Sequence, residues 1–514
     1  MNRREFGRQL ALGAAGMAAI GSALQSVKAD SGTEPAPTTG SGFVPSGTGR
    51  LNVLFIVSDD LPAYAGCYGN PYGIALKTPN IDRLAARGVL FENSFCQTAL
   101  CNPSRASFLS GLRPDTTGVH DLVTPTRQYL KDWVFLPQYF RQKGYYSAKL
   151  GKVYHTGDSP MTESLGSYSE DPLSWDTDIR EWSKRPWPDQ IAVGAKDKEK
   201  DKEYRSSWGW DKLNISDVET PDGVVARLGA DILERYRPMD KPFFLATGFR
   251  RPHDPYAAPA KYFDLYPVDQ ITLPEEPEMS LQHVPRAALT YDPALLEIPE
   301  NKRREGIAAK YASISFTDAQ LGLLLDVMDR NNLWDNTVVV LTADHGYHLG
   351  EHGGMWHKIS NFEQAARVPL IIAAPGMKAN ARCSRVVESV DLYPTLTELA
   401  GLPMRKGLQG ASLVPLLQDP QQSWDRPAFT QIQRSSKRDG KFMGRSIRTE
   451  RWRYTEWDDG KQGVQLYDLT KDPKEYVNLA EDPKYATANA ETVNQLSTQL
   501  RNATASWPKA GADA

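Results

Sequence analysis

Leu51-Asn52-Val53-Leu54-Phe55-Ile56-Val57-Ser58-Asp59-Asp60 is an apolar run that stops on two carboxylates. It does not alternate apolar with polar residues, so it suits a strand covered on both faces, as in a parallel sheet. Three more runs repeat the pattern. Residues 145–150 lead into Gly151-Lys152-Val153-Tyr154-His155, 242–248 into Arg250-Arg251-Pro252-His253, and 337–341 into Asp344-His345-Gly346. Helical signals lie between them. Thr78 is placed to cap a helix that begins at Pro79, carries Ile81, Leu84 and Ala85, and stops at Gly88. A longer helix is predicted over 307–330, its apolar face formed by Ile314, Leu321, Leu324, Leu325 and Met328. Strands alternating with helices predict an α/β sandwich. Ligands of such sheets gather beyond the carboxyl ends of the strands, and all four clusters sit at such ends. They predict one shared site.

The 514 residues allow a large core and a smaller appended unit. A main domain is expected over 51–425, and an α+β subdomain over 426–514 with strands at 429–433, 445–448 and 452–457 and a helix at 491–501. Between 157 and 240 lies a variable insert with little periodicity. It holds Trp175, Trp182, Trp187, Trp208 and Trp210, suited to packing or to stacking on sugar rings, and a charge run at 196–203 that reads as a solvated loop. A formal net charge of −3 argues against nucleic-acid binding. Cys67, Cys96, Cys101 and Cys383 are too few and too scattered for a disulfide framework.

Residues 1–29 read as an export signal. Arg3-Arg4-Glu5-Phe6 precedes an apolar stretch at 10–24 that is too short to span a bilayer, the pattern of a twin-arginine signal with cleavage near Ala29. Residues 30–50 read as a flexible tether. The expected location is the periplasm or the exterior, with no stable membrane span once the signal is removed.

The chemistry centres on Cys101-Asn102-Pro103-Ser104-Arg105-Ala106-Ser107-Phe108-Leu109-Ser110-Gly111. Pro103 suits a first helical turn, which places Cys101 just ahead of a helix N-terminus where an anion is favoured. Arg105 adds a charge one turn on. Such a thiol is either an activated nucleophile or a residue that becomes something else.

This stretch resembles the signature of the type I, formylglycine-dependent sulfatases. The resemblance extends to Asp59-Asp60, Gly66-Cys67-Tyr68-Gly69, residues 78–84, Gly151-Lys152-Val153-Tyr154-His155, Asp344-His345-Gly346, residues 349–353, Lys358 and Leu466-Tyr467-Asp468-Leu469. Arg113-Pro114-Asp115-Thr116-Thr117 and His345 point, within the family, to the iduronate-2-sulfatase branch. The resemblance implies an alkaline-phosphatase-like sandwich with a large, mostly parallel central sheet flanked by helices. It also implies conversion of Cys101 to formylglycine by a formylglycine-generating enzyme. One Ca²⁺ ion would be held by Asp59, Asp60, Asp344, His345 and an oxygen of residue 101. Carboxylate oxygens suit that hard cation, and the imidazole is the unusual ligand.

In the implied reaction one hydroxyl of the aldehyde hydrate attacks sulfur and the second expels sulfate. Arg105 and Lys152 steady the hydrate, Lys152 and Lys358 hold sulfate oxygens, His155 is the base and His253 protonates the leaving oxygen. His348, His352 and His357 fit no metal spacing, and His352 is expected to prop the neighbouring loop. The implied substrate is a sulfated carbohydrate, a 2-O-sulfated uronic acid of a polysaccharide, whose carboxylate Arg250 or Arg251 would meet.

Three other readings stand beside this one: a phosphomonoester or phosphonate hydrolase, a silent glycan-binding protein with an unmodified thiol, and a metal-free cysteine hydrolase that would resist chelators. Rates on paired aryl sulfate and aryl phosphate separate the first from the sulfatase reading, and the intact mass of protein from its native host separates the formylglycine reading from those with an unmodified thiol. The expected mass is that of a chain starting near Asp30, with one sulfur exchanged for oxygen and two hydrogens lost at Cys101. An unmodified cysteine contradicts the formylglycine reading.

Overall fold

The computed structural model describes residues 50–511 apart from 65, 70, 156–170, 180–208, 236–240, 279, 291–297 and 437. The expected signal, the tether up to residue 49, Trp182, Trp187, Trp208 and the charge run at 196–203 lie outside the described residues. No helix among the described residues is long and apolar enough to cross a membrane.

Each of the four apolar runs is a strand. They are β1 (Asn52–Ser58), β3 (Tyr146–Gly151), β6 (Phe243–Phe249) and β8 (Thr337–Ala343). With β2 (Val89–Phe95), β4 (Thr177–Ile179), β9 (Arg367–Ala373) and β10 (Ala381–Glu388) they form an eight-stranded sheet in the order β10-β2-β9-β8-β1-β6-β3-β4. Only β9 runs antiparallel to its neighbours, β2 and β8. The four strands that end in reactive clusters are adjacent and parallel. Ser58 is level with both Phe249 and Ala343, and Gly151 with Gly248. Their ends therefore open into one crevice. Two glycines allow this closeness: a Cβ on Gly151 would lie 2.1 Å from the Gly248 carbonyl oxygen, and one on Gly248 would lie 2.0 Å from that of Lys152.

Both faces of the sheet are covered, which explains the unbroken apolar runs. On one face Val53, Phe55 and Val57 meet α2 (Cys101–Ser110), α3 (Leu136–Gln142) and α6 (Leu392–Leu399) through Phe108, Leu136, Phe140, Leu392 and Leu396. On the other, Leu54 and Ile56 meet α1 (Pro79–Ala85), α4 (Pro221–Arg235) and α5 (Glu300–Arg330).

Three local expectations are corrected. Thr78 does not cap α1: its hydroxyl accepts from the Gly66 N–H at 2.8 Å. Asp318 of α5 supplies the cap, accepting from the N–H groups of Asn80 and Ile81 at 3.0 and 2.7 Å. The long helix starts at Glu300, not 307. The insert contains a helix: α4 buries Val225, Ala226, Gly229, Ile232 and Leu233, a spacing already visible in the sequence. Trp175 is a core residue packed on Phe244 and Tyr154, and Trp210 lies in β5 (Trp210–Leu213), which pairs with β7 (Tyr256–Pro259).

The C-terminal sheet is an antiparallel meander of β11 (Ala428–Ser436), β12 (Gly440–Arg448), β13 (Trp452–Trp457) and β14 (Val464–Asp468), one strand more than expected. Against it lies α7 (Ala486–Ala505), through Leu496 and Leu500. Buried ion pairs tie this sheet to the main one. Arg453 bonds both Glu363 and Glu475, and Arg448 also reaches Glu363; both guanidinium groups lie over the Phe95 ring, at 5.2 and 5.3 Å. Removing one partner of a buried pair leaves an uncompensated charge. Arg453→Met is therefore expected to cost ~3–5 kcal/mol of unfolding free energy in urea titration. A loss within ~0.5 kcal/mol, the usual effect of a surface substitution, contradicts this role.

Candidate active site

Cys101 is the first residue of α2, not the residue before it, and only 2% of it is exposed. Side-chain ligand atoms of Asp59, Cys101, Asp344 and His345 lie within 4.8 Å of one another. A second such group joins Asp60, Cys101 and His253. Asp59 and Asp60 follow β1, Asp344 and His345 follow β8, and His253 follows β6. The Asp60 N–H donates to Asp344 Oδ1 at 3.1 Å, and the His345 N–H to the same oxygen at 3.0 Å, which locks the two turns together.

Burying these carboxylates requires compensating charge. Arg105 Nε donates to Asp344 Oδ2 at 2.9 Å and its Nη2 to Asp59 Oδ1 at 3.2 Å. Its Nη1 donates to the carbonyls of Lys152 and Val153 at 2.6 and 2.9 Å. Arg105 thus clamps three strand ends together. Lys152 pairs with Asp59. Lys358 Nζ lies 2.7 Å from Asp60 Oδ1 and 3.3 Å from Cys101 Sγ. Although burial raises the Asp60 carboxyl, nearby positive charge, including the Lys358 ammonium, holds it well below the usual range. For Cys101 the balance goes the other way. Burial, then the Asp59 carboxylate, pushes the thiol far up against the opposing pull of Lys358 and Lys152.

Two histidines have defined tautomers, because a carbonyl can only accept. His345 Nδ1 is 3.0 Å from Gly346 O, so Nδ1 carries the proton. Its Nε2 lone pair then faces Cys101 Sγ at 3.3 Å, Asp60 Oδ1 at 3.4 Å and Asp344 Oδ2 at 3.6 Å. His253 Nδ1 is 2.7 Å from Asp254 O, which leaves Nε2 directed to Asp60 Oδ2 at 3.9 Å. Burial holds His253 and His155 neutral, reinforced at His155 by Lys152. The buried atoms His155 Nδ1 and Asp60 Oδ2 have no hydrogen-bond partner among the described residues.

Arg251 does not fulfil the expectation of gripping a substrate. It is 1% exposed, and its Nη1 bonds the His253 carbonyl; the backbone N–H groups of Arg250 and Arg251 donate to Asp222. Sequence reasoning also missed Asn102, Asp222, Asp254 and Lys310. Asn102 Nδ2 donates to the carbonyls of Asp121 and Thr124, both at 2.9 Å, which holds a loop beside the Cys101 helix. Lys310, the one charge between Glu305 and Asp318 in α5, was the one legible signal among them.

The match to known proteins follows this geometry. A family model described as Sulfatase matches residues 51–402, and one described as N-sulphoglucosamine sulphohydrolase, C-terminal, matches 350–504. The chain belongs to the sulfatase family. A sulfatase of Formosa agariphila is 32% identical over 89% of this chain and 88% of its own. The iduronate 2-sulfatase of Mus musculus is 33% identical over 80% and 85%. Among solved structures, a phosphonate monoester hydrolase from Silicibacter pomeroyi superposes with a TM-score of 0.74 at 22% identity, over 90% of this chain and 96% of that one. A 2-O GAG sulfatase superposes at 0.65 and 24%, over 88% and 93%. The fold is the alkaline-phosphatase-like sandwich, and the chain is a sulfuric ester hydrolase.

Two of the remaining histidines of this sulfatase support a loop. His348 Nε2 pairs with Ser360 Oγ at 2.8 Å. The His352 ring stacks on Phe362 at 3.9 Å, and its Nε2 lies 3.3 Å from Gln364 Oε1. Neither joins a metal-type cluster among the described residues. Burial lowers His352 from 6.5 to about 4. The unfolded chain then binds the proton more readily, so the stabilising contribution is complete above pH 6.5 and is lost as pH falls from 6.5 towards 4. The loss is on the order of 3 kcal/mol. His352→Asn, a side chain that tolerates the left-handed backbone at this position, is expected to weaken that dependence in urea titrations at pH 7 and 4.5. An unchanged pH slope contradicts the assignment.

Proposed function

We propose that this sulfatase is an exported enzyme that removes 2-O-sulfate from uronic acid residues of sulfated polysaccharides, with residue 101 as formylglycine and one Ca²⁺ ion. The observation that carries the reading is the position of Cys101. It sits among three carboxylates, an imidazole lone pair and two lysines. The carboxylates and the imidazole suit a cation and the lysines suit the sulfate oxygens, so residue 101 stands where a nucleophile would meet a sulfate ester. Export is supported by the Arg3-Arg4-Glu5-Phe6 signal.

The donor set fits the cation. Three carboxylates supply hard oxygens, Asp60 Oδ2 has no hydrogen-bond partner among the described residues, and His345 turns an unprotonated Nε2 towards Asp60 Oδ1 and Asp344 Oδ2. Asp59, Asp60, Asp344 and His345 would hold the ion, which when bound withdraws negative charge from the transferring sulfuryl group. The aldehyde, made by a formylglycine-generating enzyme from the Cys-x-Pro-Ser-Arg segment, supplies as its hydrate two hydroxyls on one carbon. Lys152 and Lys358 bind sulfate oxygens. Each is already near an aspartate, so incoming sulfate exchanges one anionic partner for another at low desolvation cost. Sulfate beside His253 raises that imidazole from its neutral resting state, whereas His155, desolvated beside Lys152, stays neutral. His253, with Nε2 facing the pocket, gives its proton to the leaving alcohol, and His155 is the base that takes the proton of the second hydroxyl as sulfate is expelled and the aldehyde returns. The uronate preference is supported by the relatives named iduronate 2-sulfatase.

The test is a panel of sulfated disaccharides that differ only in sulfate position, run beside paired aryl sulfate and aryl phosphate. Sulfate release from the 2-O-sulfated uronate is expected, lost in Cys101→Ala and on chelation, and restored by Ca²⁺. Equal turnover of 6-O-sulfated glucosamine contradicts the uronate assignment. Faster turnover of the aryl phosphate contradicts sulfate as the substrate.

A further inference from the structure

Lys310 stands in the middle of α5, between Ala309 and Tyr311, and is fully buried. Its Nζ donates to the carbonyl of Asp60 at 2.9 Å and to that of Pro252 at 3.0 Å. The same ammonium lies 4.5 Å from the centroid of the Tyr347 ring and 5.0 Å from that of Tyr256. These partners come from the turn after β1, the turn after β6, β7 itself and the loop after β8. Desolvating an ammonium costs several kcal/mol, offset here by two charge-assisted hydrogen bonds and two aromatic faces. A core built only for packing would place an apolar side chain at this position.

The two carbonyls are the informative partners. Asp60 has a left-handed backbone, φ 60°, which few residues other than glycine, asparagine and aspartate adopt. A bond to its carbonyl holds that peptide in orientation. The Pro252 carbonyl belongs to the peptide that leads into His253, so a rotation there would carry the imidazole with it. We propose that Lys310 is a positioning residue whose ammonium, by bonding the Asp60 and Pro252 carbonyls together, fixes His253 relative to Asp60. This rests on the reading of His253 as the group that protonates the leaving alcohol. Proton donation demands hydrogen-bond geometry, and displacement of the order of 1 Å is enough to cost 10²-fold.

The experiment uses Lys310→Met in the full, mature enzyme, with the mass at residue 101 confirmed equal to wild type. Two esters are compared, 4-nitrophenyl sulfate, whose leaving group needs little protonation, and a sugar sulfate, whose alkoxide needs it fully. The expected result is a fall in kcat/KM of ~10²-fold or more on the sugar sulfate. The expected loss on 4-nitrophenyl sulfate is no more than ~10-fold, the same order of sensitivity as in His253→Ala. A general loosening of the fold would slow both esters alike, so equal losses, or none, overturn the proposal. Lys310→Gln retains N–H donors on a shorter chain and is expected to recover part of the sugar-sulfate activity; it carries the same comparison where the methionine variant does not fold. A crystal structure gives a readout independent of turnover. The His253 Nε2 to Asp60 Oδ2 separation, 3.9 Å in the wild type, is expected to change in the variant, and an unchanged separation overturns the proposal. Wild-type enzyme that cleaves neither ester overturns the sulfatase reading itself, whereas active wild type with equal losses overturns only the role of Lys310.

Discussion

Three carboxylates buried at the ends of two adjacent parallel strands are the constraint from which the rest of the site follows. Asp59, Asp60 and Asp344 are each 0% exposed. Unpaired carboxylates in such surroundings would take up protons or unfold the chain. The molecule answers with cations drawn from distant parts of the sequence: Arg105 from α2, Lys152 from the end of β3, and Lys358 from the loop beyond β8. Each is tied to a carboxylate and each is also within reach of the reacting group or of the strand ends that carry it. Stability and chemistry are therefore served by the same contacts.

The sheet makes this possible. Four parallel strands in direct register end at one level, so residues separated by almost three hundred positions meet without a long loop. α2 then brings Cys101 to that edge, and the C-terminal meander holds the backbone next to Lys358. Arg434 of β11 donates to the carbonyls of Ala287 and Ile359, and Ile359 follows Lys358 directly. The small sheet thus fixes the backbone beside a lysine that faces the nucleophile.

Much of this was legible in the sequence because it is local. Unbroken apolar runs ending in Asp59-Asp60, Lys152, His253 and Asp344-His345 announced buried parallel strands, and the structure brings those residues together. What was not legible depends on partners far along the chain. The hydroxyl of Thr78 is a good helix cap by type, but Gly66 claims it and Asp318 takes over its task. Arg251 looks like a substrate-gripping arginine until the β6 turn is seen to fold it inward. The tautomers of His253 and His345 are set by neighbouring carbonyls, which no residue type records. Lys310 lay in plain view as the one charge between Glu305 and Asp318, yet its two carbonyl partners, 250 and 58 residues away, appear only in three dimensions.

The central claim is that the buried carboxylates hold a cation against residue 101. Anomalous diffraction from crystals of the mature protein grown with Ca²⁺ tests it most directly. The account predicts one strong peak about 2.3–2.6 Å from carboxylate oxygens of Asp59, Asp60 and Asp344, with His345 Nε2 and the side chain of residue 101 beside it. A featureless map at that point, with calcium bound elsewhere or nowhere, would contradict it.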